Sequence, residues 1–303
     1  MNLIFFATAE FAVPSLYALK EHVCLVVSQP DRPGRRGMKL QASPIKQAAL
    51  ELGLPVETPE KSRAPEFVER LRLENADALV VAAYGQILSQ AVLDSANRGG
   101  INLHGSILPK YRGAAPIQRC ILDGENETGV TLMQMDKGMD TGDIIEIART
   151  PIYPDETYGE LQGRLAVIAA DLATEWMPRI VEGNYPRIPQ SNDEATHAPK
   201  VQKEEAELSF DRDADEEYNR YRAFTPAPGA WIKTNAGQMR ISRMARSDLD
   251  GASGEILETA PNLTVAFQSG ALQFIEVQPE GKKRMSGRDF ANGARLRPGL
   301  RLI

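Results

Sequence analysis

The chain has 303 residues, a net charge of −6 at pH 7 and an apolar content of 42%, which is ample for ordinary cores and long for one domain. Two cysteines, Cys24 and Cys120, are too few for a disulfide framework and indicate a reducing compartment. No uncharged apolar run approaches the roughly 20 residues that a membrane-spanning helix needs. Charged residues interrupt the first apolar segment, so no signal peptide is expected. We therefore expect a cytoplasmic protein without a membrane partner.

The first part of the chain alternates short apolar runs with amphipathic segments. The pattern predicts strands at 2–6, 23–27, around 56, at 78–83, around 101–103, at 128–135 and from 144. It predicts helices from about Pro14, at 44–52, 67–73, 115–122 and 158–181, and a helix or turn over 86–93. This alternation predicts an α/β fold with a doubly wound, mostly parallel sheet.

The second part of the chain changes character. Residues 185–203 contain three prolines and no clear period, which indicates a linker. Short β-like runs then follow at 231–233, 239–241, 255–257, 263–267 and 272–277, separated by turn residues. They predict a small β-barrel or sandwich. The expected domains are 1–183, a linker at 184–205, and 206–303.

Asn102 and His104 form the first candidate polar site. They lie two residues apart on a predicted strand, so both side chains point the same way. Gly105 and Pro109 then end the strand, and open α/β sheets bind ligands just beyond the carboxyl ends of their strands. From this pair alone, a reactive site and a structural pair, with a capping Asn and a hydrogen-bonded core His, are equally good interpretations.

Asp140 is the third candidate. It opens a single Asp-Thr-Gly motif, whereas aspartic proteases need two carboxylates sharing a proton, so that class is excluded. Alone, Asp140 is typical of a turn residue that caps backbone amides. Beside the Asn102 and His104 pair, it would orient His104 and favour its protonated form. Asn102 and His104 would then donate hydrogen bonds to a developing oxyanion.

Several familiar motifs are missing from the sequence. The first predicted strand is not followed by G-x-G-x-x-G, which argues against a dinucleotide enzyme. There is no nucleophile elbow, C-x-x-C or H-E-x-x-H, and three histidines make a histidine-rich metal site implausible. Without a Ser or Cys nucleophile, the predicted chemistry is direct attack by a substrate amine on a bound acyl donor.

Charge is unevenly distributed along the chain. Residues 31–46 carry five bases and one acid, and residues 281–303 carry seven bases and one acid. Residues 193–217 carry ten acids and three bases. Segregation of this kind builds a local positive patch on an acidic protein. On charge alone, a solvated C-terminal tail is the favoured interpretation.

Two spaced motifs carry a family resemblance. Residues 102–116, from Asn102-Leu103-His104 to Pro116, resemble the formyltransferase superfamily that uses 10-formyltetrahydrofolate, and residues 133–143 resemble its second motif. Further matching stretches lie at 29–33, 83–88, 222–226 and 281–286. With these in order, the chain is identified as a member of the methionyl-tRNA formyltransferases.

The resemblance implies a Rossmann-like catalytic domain followed by an OB-like β-barrel, with Asn102, His104 and Asp140 as catalytic residues and no metal. The co-substrate implied is 10-formyltetrahydrofolate. Its expected contacts are Gln86, Ile87, Leu88, Ser106, Ile107, Leu108 and Pro109. The expected tRNA contacts are Arg35, Arg36, Lys39, Lys282, Lys283 and Arg284, and phosphate contacts of this kind make binding salt-dependent.

The implied function is transfer of a formyl group to the α-amino group of methionyl initiator tRNA, for initiation of translation. The partners would be that tRNA and folate, without DNA, and a monomer is expected. Two alternatives stay open: another superfamily enzyme, acting on an amino sugar or hydrolysing the donor, and a non-catalytic tRNA-binding module. The basic loop within 29–43 is expected to be disordered in the free protein. One departure is Ala7, where the family usually has glycine, which places the first turn in doubt.

Overall fold

The computed structural model describes residues 1–33 and 40–302, which form two compact units. The first unit comprises Met1–Pro116, Glu127–Pro151 and Gln162–Pro199, and the second comprises Ile117–Asn126, Ile152–Leu161 and Lys200–Ile303. The units are interleaved along the chain, and the domain boundaries drawn from the sequence stay a prediction. Within the described ranges, no helix has the length and apolarity needed to cross a membrane.

Most of the elements predicted for residues 1–199 are present. The strands are β1 (Leu3–Ala7), β2 (Val23–Val27), β3 (Arg32–Pro33), β4 (Leu40–Gln41), β5 (Val56–Glu57), β6 (Ala78–Ala82), β7 (Gly100–His104), β8 (Arg112–Gly113), β9 (Glu127–Gln134), β10 (Ile144–Pro151) and β11 (His197–Ala198). The helices are α1 (Val13–Leu19), α2 (Pro44–Glu51), α3 (Pro65–Arg72), α4 (Gln90–Leu93), α5 (Pro116–Leu122) and α6 (Tyr158–Glu182).

The main sheet has the order β10-β9-β7-β6-β1-β2-β5. The five strands from β7 to β5 run parallel, while β9 pairs antiparallel with both β7 and β10, so the predicted mostly parallel sheet is confirmed. Ile4 and Phe6 pack against α3 and α4 on one face, and Phe5 is fully buried on the other. Burial on both faces explains why these strands are continuous apolar runs.

The strand order positions the functional edge. The chain runs from β1 outward to β2 and β5 and then returns to β6 on the other side of β1. Such a reversal opens a crevice at the carboxyl ends of the strands. Ala7 is the last residue of β1 and does not adopt a positive φ, so alanine fits the first turn here without strain.

Residues 188–198, which we call the strap, belong to the first unit. Ile188 forms an antiparallel bridge with Ile144. β11 then pairs in parallel with β8, placing His197 beside Arg112. This part of the segment predicted as linker is therefore tied to the loops that follow β7 and β9.

The second unit is built on a curled, mainly antiparallel sheet with an OB-like arrangement, as the resemblance implied. Its elements are β12 (Glu207–Leu208), α7 (Ala214–Ala223), β13 (Trp231–Thr234), β14 (Gly237–Ser247), β15 (Ile256–Glu258), β16 (Leu263–Ala266), β17 (Ala271–Pro279), β18 (Met285–Ser286) and α8 (Gly287–Gly293). The strand order is β12-β13-β14-β17-β16-β15, with β18 on β17.

Helix α7 is the main element that the apolar pattern did not predict. Half of its side chains are charged, and Tyr218 and Tyr221 carry its contact with the core of the sheet. The usable signal was at its start, where the Asp213 carboxylate accepts from the amides of Asp215 and Glu216, at 2.8 and 3.2 Å. An Asp cap followed by acids in the first turn is typical of a helix N-terminus.

Candidate active site

Strand β7 presents Asn102 and His104 at the carboxyl edge of the main sheet, with only 8% and 6% of their surfaces exposed. The Asn102 amide nitrogen donates to Oδ1 of Asp140 at 3.3 Å. Nδ1 of His104 lies 3.7 Å from the other oxygen of the same carboxylate, Oδ2. The three residues singled out in the sequence therefore meet at one point.

The turn that carries Asp140 is fixed by its own sequence. Asp140 adopts a φ of +55°, a left-handed conformation that Asp tolerates better than most residues. Its Oδ2 accepts from the backbone amide of Gly113 at 2.9 Å. A Cβ at Gly142 would collide with the carbonyl oxygen of Gln134, so only glycine lets the turn close onto β9.

The hydrogen bonds of His104 define the state of its ring. Nε2 lies 3.0 Å from the carbonyl oxygen of Tyr111. Because a carbonyl only accepts, Nε2 must carry a proton. Nδ1, on the Asp140 side, therefore donates only when the ring is doubly protonated. Tyr111 itself has a φ of +61°, which is unusual for a bulky side chain.

The loop after β7 is held from below by Thr131, a fully buried residue of β9. The Thr131 hydroxyl donates to the Ser106 carbonyl at 2.6 Å and accepts from the Leu108 amide at 3.1 Å. The Ser106 hydroxyl closes the loop by donating to the Lys110 carbonyl at 2.7 Å. Leu108 packs into a small apolar cluster with Met133. These contacts make the loop a rigid wall of the crevice.

The expected folate residues follow β6 and β7, which are neighbours, so they lie at the same edge as Asn102 and His104. Ile87 is 79% exposed, whereas Leu88 is buried. The Gln86 side-chain oxygen accepts from the Ser62 amide at 3.1 Å. Of the second segment, Ser106 and Leu108 are buried, and Ile107 and Pro109 are half-buried. Ile87 is thus the expected folate side chain that faces outward.

A further polar network lies at the ends of β1, β2 and β6. The Gln29 amide nitrogen donates to the Tyr84 carbonyl at 2.9 Å, and its oxygen accepts from Arg32 at 2.5 Å. The Thr8 hydroxyl donates to the same carbonyl at 2.8 Å. Burial raises the pKa of the Tyr84 phenol to about 12, so this group stays neutral. The network joins the base of the basic loop to the crevice.

The expected tRNA contacts fall in two places. Arg35, Arg36 and Lys39 lie outside the described residues, as do all of residues 34–39 of the loop expected to be disordered. Lys282, Lys283 and Arg284 are all exposed in the turn between β17 and β18 of the second unit. Nε of Arg284 forms an ion pair with Glu276 at 2.9 Å.

The arrangement favours charge stabilisation and proton transfer. An amide donor, an imidazole and a carboxylate converge at a buried edge. The amide and the imidazole can stabilise an oxyanion, and the carboxylate can accept a proton from a nearby group. Within residues 1–33 and 40–302, no group of three His, Cys, Asp or Glu side chains is placed to hold a metal ion.

Residues that the sequence interpretation missed come mainly from the strap. Thr196 accepts from the Tyr111 amide, and Gln190 donates to the Asp140 carbonyl. Neither residue lies in a periodic segment or near the motifs in sequence, so only the fold reveals them.

The comparisons with known proteins agree with this geometry. The formyl transferase family matches residues 1–181, and the formyl transferase C-terminal domain family matches residues 200–295. The chain is 44% identical to the methionyl-tRNA formyltransferase of Symbiobacterium thermophilum, covering 99% of this chain and 95% of the relative. It is 45% identical to that of Solibacter usitatus, with coverages of 98% and 96%. The solved N-formyltransferase of Helicobacter canadensis shares the fold, with a TM-score of 0.67 and 20% identity over 90% of this chain and 98% of that one. The chain therefore belongs to the methionyl-tRNA formyltransferase family.

Proposed function

We propose that the protein transfers the formyl group of 10-formyltetrahydrofolate to the α-amino group of methionyl initiator tRNA. The observation that carries the proposal is the convergence of Asn102, His104 and Asp140 at the carboxyl edge of the sheet. Full-length relatives that are named methionyl-tRNA formyltransferase support the choice of reaction and acceptor. The protein acts in the cytoplasm as a monomer and engages neither DNA nor membranes.

The reaction begins when the amine nitrogen forms a bond to the formyl carbon. The carbonyl electron pair moves onto oxygen, and the Asn102 amide and Nδ1–H of His104 donate hydrogen bonds to this oxyanion, since Nε2–H is held by the Tyr111 carbonyl. The Asp140 carboxylate accepts a proton from the amine. The oxyanion electron pair then re-forms the carbonyl as the bond from the formyl carbon to N10 breaks. N10 takes up the proton that Asp140 accepted, and formylmethionyl-tRNA and tetrahydrofolate leave. Holding two substrates in register supplies a large part of the rate.

A folate co-substrate is supported by the formyl transferase family match and by the Helicobacter canadensis structure, which was solved with folinic acid. In this chain, exposed Ile87 offers an apolar surface at the crevice. The loop formed by residues 106–109 follows the adjacent strand β7 at the same edge of the sheet, and both features suit a flat, partly apolar ring system.

The tRNA acceptor is supported by the names of the relatives and by the exposed cations Lys282, Lys283 and Arg284. Arg35, Arg36 and Lys39 complete the proposed set. Cations of this kind meet phosphates without reading sequence, so the discrimination of initiator tRNA rests on other contacts.

The test is transfer of labelled formyl from 10-formyltetrahydrofolate to four acceptors. These are methionyl initiator tRNA, methionyl elongator tRNA, free methionine and dTDP-3-aminofucose, the last chosen because it accompanies the Helicobacter canadensis enzyme. Label in the initiator species alone is expected. Label in the amino sugar, or loss of formyl without any acylated tRNA, would contradict the proposal.

A further inference from the structure

Gln190 in the strap is hydrogen-bonded to the turn that carries Asp140. Its amide nitrogen donates to the carbonyl oxygens of Asp140 at 2.9 Å and Gly142 at 2.7 Å. Its side-chain oxygen accepts from Nε and Nη2 of Arg112 at 3.0 and 2.8 Å. Because carbonyls only accept and a guanidinium only donates, the orientation of the Gln190 amide is fixed.

Arg112 anchors Gln190 from the other side. It is the first residue of β8 and is 5% exposed. Its Nη1 also donates to the side-chain oxygen of Asn192 at 3.0 Å. A buried guanidinium whose donors are directed at neighbouring amide oxygens has little freedom to move, so Gln190 is held rigidly against the Asp140 turn.

Thr196 acts on the other half of the site. Its hydroxyl accepts from the backbone amide of Tyr111 at 2.8 Å. The carbonyl of the same Tyr111 accepts from Nε2 of His104 at 3.0 Å. Thr196 thus restrains the left-handed residue that fixes the His104 ring.

The two strap contacts share one feature. Asp140 and Tyr111 both adopt positive φ values although neither is glycine, at +55° and +61°. Backbones in this region persist when surrounding contacts over-determine them. At Asp140 a contact comes from Gln190, and at Tyr111 one comes from Thr196.

We infer that Gln190 and Thr196 are positioning residues for formyl transfer, acting through the Asp140 turn and through Tyr111. The inference rests on the proposed catalytic roles of Asp140 and His104. The strap thereby couples the two catalytic loops, because a single segment sets the carboxylate and the imidazole relative to each other.

The first variant is Gln190→Glu. A glutamate still accepts from Arg112, so the anchor and the fold are retained, but it has no donor for the carbonyls of Asp140 and Gly142. We expect kcat to fall about 10- to 100-fold, the scale of a misplacement of about 1 Å, with both KM values unchanged. The cause is that the new carboxylate oxygen repels the two carbonyl oxygens and displaces the Asp140 turn. The matched control is Ser191→Ala, at the exposed neighbouring position of the strap, which should leave kcat near wild type.

A double-mutant cycle with Asp140→Asn separates the inference from the function on which it rests. If Gln190 works through Asp140, adding Gln190→Glu to Asp140→Asn lowers kcat little further. Independent, multiplicative losses would overturn the positioning role alone. Full turnover by Asp140→Asn would instead overturn the catalytic assignment together with the inference.

Thr196 is tested by a pair of substitutions. Thr196→Val keeps the shape but removes the acceptor for the Tyr111 amide, and Thr196→Ser restores it. We expect kcat to drop with valine and return with serine, at unchanged KM values. Equal kcat values for the two variants would show that Thr196 is not a positioning residue.

Discussion

Two regions proposed to serve the same reaction are built in opposite ways. At the carboxyl edge of the main sheet, Asn102 and His104 are buried and Asp140 is contacted from several segments. In the turn of the second unit, Lys282 and Lys283 are exposed. Chemistry requires a fixed geometry, whereas phosphate contacts require charge and reach. Single substitutions should therefore abolish rate in the first region and only erode affinity in the second.

Asn102→Ala should produce the largest effect, because it removes one of two proposed oxyanion donors. We expect kcat to fall about 100- to 1000-fold with little change in either KM. The measurement is steady-state transfer of labelled formyl to methionyl initiator tRNA. Asn97→Ala, at an exposed position of the same unit, is the control and should be silent. Near-wild-type turnover by Asn102→Ala would show that a substitution at the catalytic edge affects the rate no more than one in the turn that carries Lys282 and Lys283.

Gly113→Ala should come next, because the strap passes close to this residue. Gly113 has a φ of +128°, and an added Cβ would lie 2.7 Å from the Ala198 carbonyl oxygen. We expect a lower melting temperature together with a lower kcat, since β11 must shift away from β8. Gly53→Ala is the matched control, with a φ of +69° and nothing within 4 Å of the added Cβ. It should cost about 1 kcal/mol of unfolding free energy and leave kcat unchanged. Equal changes in melting temperature and kcat for the two variants would argue against a close contact between the strap and Gly113.

Removing the positive charges of the turn between β17 and β18 should have a smaller effect, on the affinity for tRNA. Lys282→Ala with Lys283→Ala should weaken tRNA binding and reduce the slope of log K against log salt by about 2, with kcat unchanged at saturating tRNA. Titrations at several salt concentrations measure this slope. Lys233→Ala is the control, since its ammonium is already paired with Glu207 at 2.9 Å. An unchanged slope in the double variant would exclude these lysines as phosphate contacts.

The smallest effect concerns stability alone. The Asp213 carboxylate caps α7, and its hydrogen bond from Ser269 holds its pKa below the usual range. A depressed folded-state pKa stabilises the fold above the unfolded value of about 3.9 and loses that contribution as pH falls through the folded value. Asp213→Ala should cost about 1 kcal/mol at neutral pH. The difference between the melting curves of the two proteins should begin to shrink below about pH 4 and vanish only below the depressed folded-state pKa. A difference that persists below that pKa would contradict this origin.

Much of the catalytic edge could be predicted from local sequence. The apolar runs of β1, β2 and β6 specify a sheet buried on both faces, and the two-residue spacing of Asn102 and His104 specifies a shared face. The position of Asp140 beside them was a hypothesis from the residues, which the family resemblance then supported, since a single Asp-Thr-Gly turn alone is better explained by capping. The local sequence pattern thus predicted the strands of this sheet and the shared orientation of Asn102 and His104.

The remaining parts depend on long-range contacts that leave no periodic trace. Gln190 and Thr196 lie in a proline-containing segment, and their partners Arg112 and Tyr111 are far away in sequence. Helix α7 was not predicted because half of its residues are charged and few are apolar, although Asp213 marked its start. In each case the fold, rather than the neighbouring residues, determines the contact.

The most direct test of the central claim is single-turnover formyl transfer by Asp140→Asn with both substrates saturating. Asparagine tolerates the left-handed backbone at this position and keeps one oxygen for the Gly113 amide, so the turn is retained. The proton acceptor is lost, together with the oxygen that accepts from the Asn102 amide. We predict a loss of about 100- to 10,000-fold in the transfer rate with unchanged binding of folate and tRNA. Transfer at the wild-type rate would contradict the assignment of this edge as the catalytic site.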